Sequence, residues 1–307
     1  MKNVKIYAFL ATIFVTLTWG VSPVITKYML GTYSAGMQRL IAAIFATISL
    51  AIIANKKLKN IDKSYIKFAL PVGLCFSLAV LLEGVALRFT TPAKSTFYGN
   101  VTCIVVPVCM AIFARVKPNL MKIMAGVLCA LGFGVIVFGD TIGGGIPSFS
   151  LGDGLTLLSG LFYGIVVASI GTWGKDKDSL LLTFLEFCMC IPVCLVYVIF
   201  FEEVSFSWAV GDLAIIIGTE IVVQGVCWWM RNFAVRTFDA GFVAIVTSMS
   251  TIVSGVVSIL TGMDVFTWSL LVGGLICVAA AVVSGLSDKE KKLPLAHDKD
   301  QGSELTK

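Results

Sequence analysis

The chain is a succession of apolar runs, each about as long as a bilayer is thick, and that feature fixes most of what it can fold into. A helix needs roughly 20 consecutive apolar residues to cross a hydrocarbon layer ~30 Å thick. Ten such runs are read: 6–29, 33–54, 65–88, 92–115, 119–138, 151–173, 180–201, 212–236, 239–261 and 266–286. The connections are short and several carry Gly or Pro, as in Thr141-Ile-Gly-Gly-Gly-Ile-Pro147. Of the 307 residues, 58% are hydrophobic and 13% charged, against about 45–50% and about 25% in a soluble domain. The longest polar stretch, 287–307, is expected to be a disordered tail. The run after Lys2 and Lys5 continues to about Met29 without a small-x-small cleavage pattern, so it reads as a retained first helix.

Basic residues test the count independently, because they gather in cytoplasmic loops. With the N-terminus inside, Lys56, Lys57, Lys59, Lys63 and Lys67 fall inside, as do Arg115, Lys117, Lys122, Lys175 and Lys177. Of the 23 basic residues, only Lys27, Arg39, Arg88 and Lys94 fall on the outer side. Ten spans with both termini cytoplasmic follow.

The chain also repeats itself. Arg88-Phe89-Thr90-Thr91-Pro92 breaks two apolar runs, and Arg236-Thr237-Phe238-Asp239-Ala240 does so 148 positions later. The same shift carries Gly126-Val-Leu-Cys129 onto Gly274-Leu-Ile-Cys277, and a shift of 144 carries Trp19-Gly20 onto Tyr163-Gly164. Five spans is an odd number, so the second unit enters the membrane upside down. The expected fold class is an all-α integral membrane protein of ten transmembrane helices in two inverted-topology five-helix repeats, 1–140 and 141–286.

This arrangement resembles the drug/metabolite transporter superfamily, and within it the EamA-type transporters. Trp19-Gly20-x-x-Pro23, Arg39 early in the second span, the Ala86-Leu-Arg-Phe-Thr hairpin with its copy at Ala234, and the Gly-rich fifth and tenth spans carry the resemblance. One departure is Ala114-Arg115-Val116-Lys117, where that family often has an acidic residue. The resemblance implies export or exchange of a small metabolite, an amino acid or a related polar or aromatic compound, by alternating access.

Charges inside a membrane are costly, so each is a functional candidate. Arg39 maps onto Glu186 and Glu83 onto Arg231 with exchanged sign. Two ion pairs are expected, Arg39 with Glu83 and Glu186 with Arg231, acting as alternating gates; static helix staples, or charges reaching headgroup water, are the other readings. Glu220 is then left without a partner near the midplane, with Gln224 and Trp228 at i+4 and i+8 on one helix face. It is a candidate for proton coupling or for a cationic substrate group; a neutral acid in a helix contact is the plainer reading. Trp19, Tyr163 and Trp228 are expected to line one cavity, with Asn100, Thr102, Ser248 and Ser250 adding polar groups. Gly160, Gly164 and Ala168, at four-residue steps, read as a close helix contact.

The nine cysteines all fall within apolar spans and read as packing residues, and the single histidine, His297, lies in the tail. No cofactor or metal is expected, and no HExxH or GxSxG pattern supports an enzyme. Expected partners are a small-molecule substrate and the lipid bilayer of the cell (plasma or inner) membrane, not nucleic acid; a homodimer is left open. A channel-like permease and a membrane-embedded enzyme are the alternative functions.

Overall fold

The computed structural model describes residues 2–113, 115, 120–138, 149–203, 207–238, 243 and 246–290. Among them every regular element is helical. In order these are α1 (Lys2–Met29), α2 (Ala35–Ala54), a 3₁₀ turn (Asn55–Asn60), α3 (Lys63–Ala86), α4 (Pro92–Gly99), α5 (Thr102–Phe113) and α6 (Leu120–Phe138). There follow α7 (Leu151–Trp173), α8 (Ser179–Phe201), α9 (Val210–Glu220), a π turn (Ile221–Val226), α10 (Cys227–Thr237), α11 (Ser250–Leu260) and α12 (Trp268–Glu290). Seven helical stretches are long and apolar enough to cross a membrane: 4–29, 35–60, 63–86, 92–113, 151–173, 179–201 and 210–237. Three further apolar helices, of 10–17 residues, fall in the remaining expected runs at 124–136, 246–260 and 268–280. The expected loop 141–147, the start of the run at 239 and residues 291–307 of the expected tail lie outside the described residues; residues 287–290, expected to belong to that disordered tail, instead continue α12.

Helices suit this composition because lipid offers backbone groups no hydrogen-bond partners, and a helix satisfies them internally. The ends are fixed by side chains. Thr91 accepts from the Lys94 N–H at 3.4 Å with Pro92 in the first turn, and together they start α4. Ser150 and Asp153 form a reciprocal capping box on α7. The outward faces are apolar: Ile52 is 72% exposed and Phe200 73%, which is the pattern of a surface solvated by lipid.

The bundle packs α2 on α8, α3 on both α7 and α8, α5 on α7, α1 on α10 and α11, and α6 along α12. Its apolar centre joins Phe76, Leu181, Phe187 and Trp228. Where helices approach most closely the contact residue is glycine. A Cβ on Gly160 would lie 2.9 Å from the Gly99 carbonyl oxygen, and one on Gly164 2.4 Å from Val105 Cγ1. The small-residue stripe on α7 is therefore a close contact with the α4–α5 segment, as expected.

One end of the bundle carries the lysine-rich turn and is tied across helices. Lys57 Nζ donates to Asp178 Oδ2 at 2.8 Å, and the Arg236 guanidinium donates to the Lys175 carbonyl at 3.0 Å. Asp178 also caps α8 by accepting from the Leu180 N–H at 2.8 Å. Partial burial pushes the Asp178 carboxyl up, but the Lys57 hydrogen bond and the Leu180 N–H outweigh it, and the net shift is below the ordinary value of 3.8. A lowered native value means that this stability is present above the ordinary value and is lost as pH falls through the native one. Asp178→Ala is expected to cost about 1 kcal/mol, the usual loss of an N-cap, with a difference from wild type that vanishes in acid. An unfolding series from neutral pH to about pH 3 checks this; an unchanged difference in acid contradicts it.

Candidate functional site

At the centre of the bundle lies a cavity of ≈ 130 Å³. A water needs about 10–15 Å³ on this measure, so the space takes about ten waters or one small molecule. Both halves of the chain wall it, with Trp19, Arg39, Glu83 and Asn100 from the first and Tyr163, Gln224, Trp228 and Arg231 from the second. Thr102 and Ser250 line it as well, so ten of the thirteen expected site residues converge on one space. Glu220 stands behind Arg39, Ser248 behind Asn100, and Glu186 lies outside the wall.

The aromatic expectation holds in detail. Trp19 and Trp228 have ring centroids 4.9 Å apart, and Tyr163 lies 5.1 Å from Trp228. Trp228 Nε1 donates to Gln224 Oε1 at 3.0 Å, and Trp19 Nε1 donates to the Val223 carbonyl at 3.3 Å. Gln224 and Val223 sit in the π turn, a widened helical turn of a kind frequent at functional sites.

The expected ion pairs form differently. Arg39 Nη2 contacts Glu220 Oε1 at 3.0 Å with side-chain exposures of 3% and 4%, so Glu220 is not partnerless and Arg39 is not paired with Glu83. The stem of Arg39 crosses α3 over Gly84, where a Cβ would lie 2.8 Å from Arg39 Cγ. Glu83, about 100° further round the helix, points elsewhere and accepts a hydrogen bond from Tyr163 Oη at 2.8 Å. Arg39 Nη2 also donates to Thr26 Oγ1 at 3.3 Å, while Arg39 Nε and Glu220 Oε2 have no hydrogen-bond partner among the described residues.

The second expected pair is also absent. Glu186 Oε2 accepts from Asn232 Nδ2 at 3.1 Å, and Asn232 is anchored in turn to Thr183 Oγ1 at 2.9 Å. Arg231 instead lies over Trp228 and Trp19, with its Cζ 4.8 and 5.7 Å from their ring centroids. Its Nε and Nη1 are buried without a hydrogen-bond partner.

Asn100 marks a break in the fourth span, since α4 ends at Gly99 and α5 begins at Thr102. Its Nδ2 donates to the Ser248 carbonyl at 3.4 Å and to Thr251 Oγ1. Ser248 therefore takes part through its backbone, beside a second helical interruption at Met249.

Several residues of the wall carried no signal in the sequence. Ser22, Thr26, Ser95, Thr156 and Ser159 line it, but buried Ser and Thr satisfy themselves anywhere in a helix by bonding back one turn. Thr156 does so to Gly152 O at 2.8 Å. Asn232 was legible only as a polar residue next to Arg231.

No curated protein matches the sequence. A solved crystal structure of a protein superposes over 93% of this chain and 99% of its own length with TM-score 0.59 at 15% identity, a likeness of fold alone. The resemblance read from Trp19-Gly20-x-x-Pro23 and Arg39 is borne out over that segment: residues 6–138 match the EamA-like transporter family, whose members are membrane transporters of small molecules and not enzymes.

Proposed function

We propose that the protein is a secondary transporter that exports or exchanges a small metabolite, an amino acid or a related polar or aromatic compound, across the cell membrane by alternating access. The observation that carries this reading is the central cavity walled by Trp19 and Arg39 from one half and Trp228 and Arg231 from the other. Sites at a repeat interface, built on discontinuous helices, are the usual arrangement in secondary transporters.

The packing supports two inverted five-helix units, 1–140 and 141–286, giving ten crossings with both termini on the lysine-rich, cytoplasmic side. Exchanging the halves maps α2 on α8 onto itself and α6 on α12 onto itself. It maps α3 on α7 onto α10 on α1, and α5 on α7 onto α11 on α1. The helical interruptions at Asn100 and near Ser248 are 148 residues apart, the same shift that relates Cys129 to Cys277. The family match ends at 138, the last residue of α6.

Proton coupling has a route in this geometry. Glu220 is the carboxylate that directly holds Arg39. A proton on Glu220 removes the charge that fixes the guanidinium, which borders the cavity. The test is counterflow in proteoliposomes loaded with unlabelled amino acids and given labelled ones, with and without a pH gradient. Saturable accumulation of at least one compound, above empty liposomes, is the expected result. Continuous ion conductance in bilayers, or no accumulation of any amino acid tested, overturns the reading.

A further inference from the structure

The cavity contains a cation, Arg231, that forms no ion pair with any carboxylate among the described residues. Arg231 is 4% exposed and borders the cavity. Its Nε and Nη1 have no partner. The other guanidinium in the wall, Arg39, is bound to Glu220 at 3.0 Å. Glu83 accepts from Tyr163 Oη at 2.8 Å, and Glu186 accepts from Asn232 at 3.1 Å through one oxygen; its other oxygen has no hydrogen-bond partner and makes no ion pair with Arg231. Leaving a charged donor buried and unsatisfied is expensive, so a group from outside the chain is the natural acceptor.

The surroundings define that group. Trp228 and Trp19 cover Arg231 with ring centroids 4.8 and 5.7 Å from Cζ. A guanidinium lying against aromatic rings still presents N–H groups in its own plane, the geometry that suits a carboxylate. One unpaired positive charge matches one negative charge; a phosphate dianion would need a second cation, and Arg39 is already paired. The adjoining rings, with Tyr163 5.1 Å from Trp228, form an apolar surface for a flat or hydrocarbon body.

We propose that Arg231 is the receptor for the substrate's carboxylate, and that the substrate class is a small organic carboxylate with an aromatic or apolar body. This rests on the transporter reading only for the word substrate; the binding site itself is a separate claim.

The experiment measures equilibrium binding to the purified full-length protein in detergent, by calorimetry and by quenching of tryptophan fluorescence. The probes are benzoate, its neutral analogue benzamide and the cation benzylammonium. Wild type is expected to bind benzoate at least tenfold more tightly than either analogue and to show quenching on binding. Arg231→Gln is expected to lose at least tenfold in benzoate affinity. Arg231→Lys keeps the charge and is expected to keep the preference for benzoate over benzylammonium, so the proposal remains testable if the Gln variant fails to fold. Equal binding of the three probes, binding of none, or benzoate binding by Arg231→Gln at wild-type strength overturns the proposal. Benzoate binding without solute exchange in liposomes overturns the transporter reading and leaves the site standing. Exchange that proceeds while Arg231→Gln binds benzoate normally does the reverse.

Discussion

Arg39→Met is expected to destabilise the protein by about 3–5 kcal/mol, the usual cost of removing one partner from a buried ion pair. The side chains of Arg39 and Glu220 are 3% and 4% exposed and meet at 3.0 Å. Without the guanidinium, a carboxylate is left in the bundle interior with no cation to offset its lost hydration. The double variant Arg39→Met/Glu220→Met is expected to recover most of that loss, because a well-packed apolar pair often matches or exceeds a buried ion pair in stability. Arg39→Met/Glu83→Met serves as the control, since the structure gives Glu83 to Tyr163 Oη at 2.8 Å and not to Arg39. Chemical unfolding in detergent micelles reads all three. The pairing is refuted if Arg39→Met falls within about 1 kcal/mol of wild type, or if Glu83→Met restores it as well as Glu220→Met.

That pairing shows where sequence reading reaches and where it stops. Apolar run length and lysine placement located the seven long helices, because both are set by the membrane and need no tertiary knowledge. Trp19 and Tyr163, paired in the sequence by a shift of 144, line one cavity. The partner of Arg39 was not legible in the same way. It depends on the direction in which a long side chain leaves its helix, which Gly84 decides by leaving space for the Arg39 stem. Glu83 is adjacent in sequence yet points toward α7. The hydroxyl wall was hidden for another reason: Thr26 and Thr156 look like any helical Thr until the neighbouring helix is in place. Glu186 was read as Arg231's partner because the repeat maps Arg39 and Glu83 onto them, but Asn232, one residue along from Arg231, takes that carboxylate. The sequence repeat did not carry these side-chain contacts.

The proposed repeat makes its own prediction at two glycines. A Cβ on Gly20 would lie 2.5 Å from Val253 Cβ and 2.9 Å from the Ser250 carbonyl oxygen. A Cβ on Gly164 would lie 2.4 Å from Val105 Cγ1 and 2.6 Å from Val105 Cβ. Val105 and Val253 are 148 residues apart, so under the proposed repeat the two contacts are equivalents. Gly20→Ala and Gly164→Ala are each expected to cost about 1–3 kcal/mol, because inserting a carbon into a filled helix contact forces backbones apart. That penalty outweighs the gain of about 0.5–1 kcal/mol that Ala brings to a helix interior over Gly. Gly255→Ala, with nothing within 4 Å of its added carbon, isolates that gain and is expected to be neutral or stabilising. Gly20 adjoins Trp19 and Gly164 adjoins Tyr163, so a shift at either contact moves an aromatic wall of the cavity. Both variants are therefore expected to slow exchange in proteoliposomes while Gly255→Ala leaves it unchanged. Loss at one glycine with full tolerance at the other would show that the two contacts do not work as equivalents, and that the halves do not move as related units.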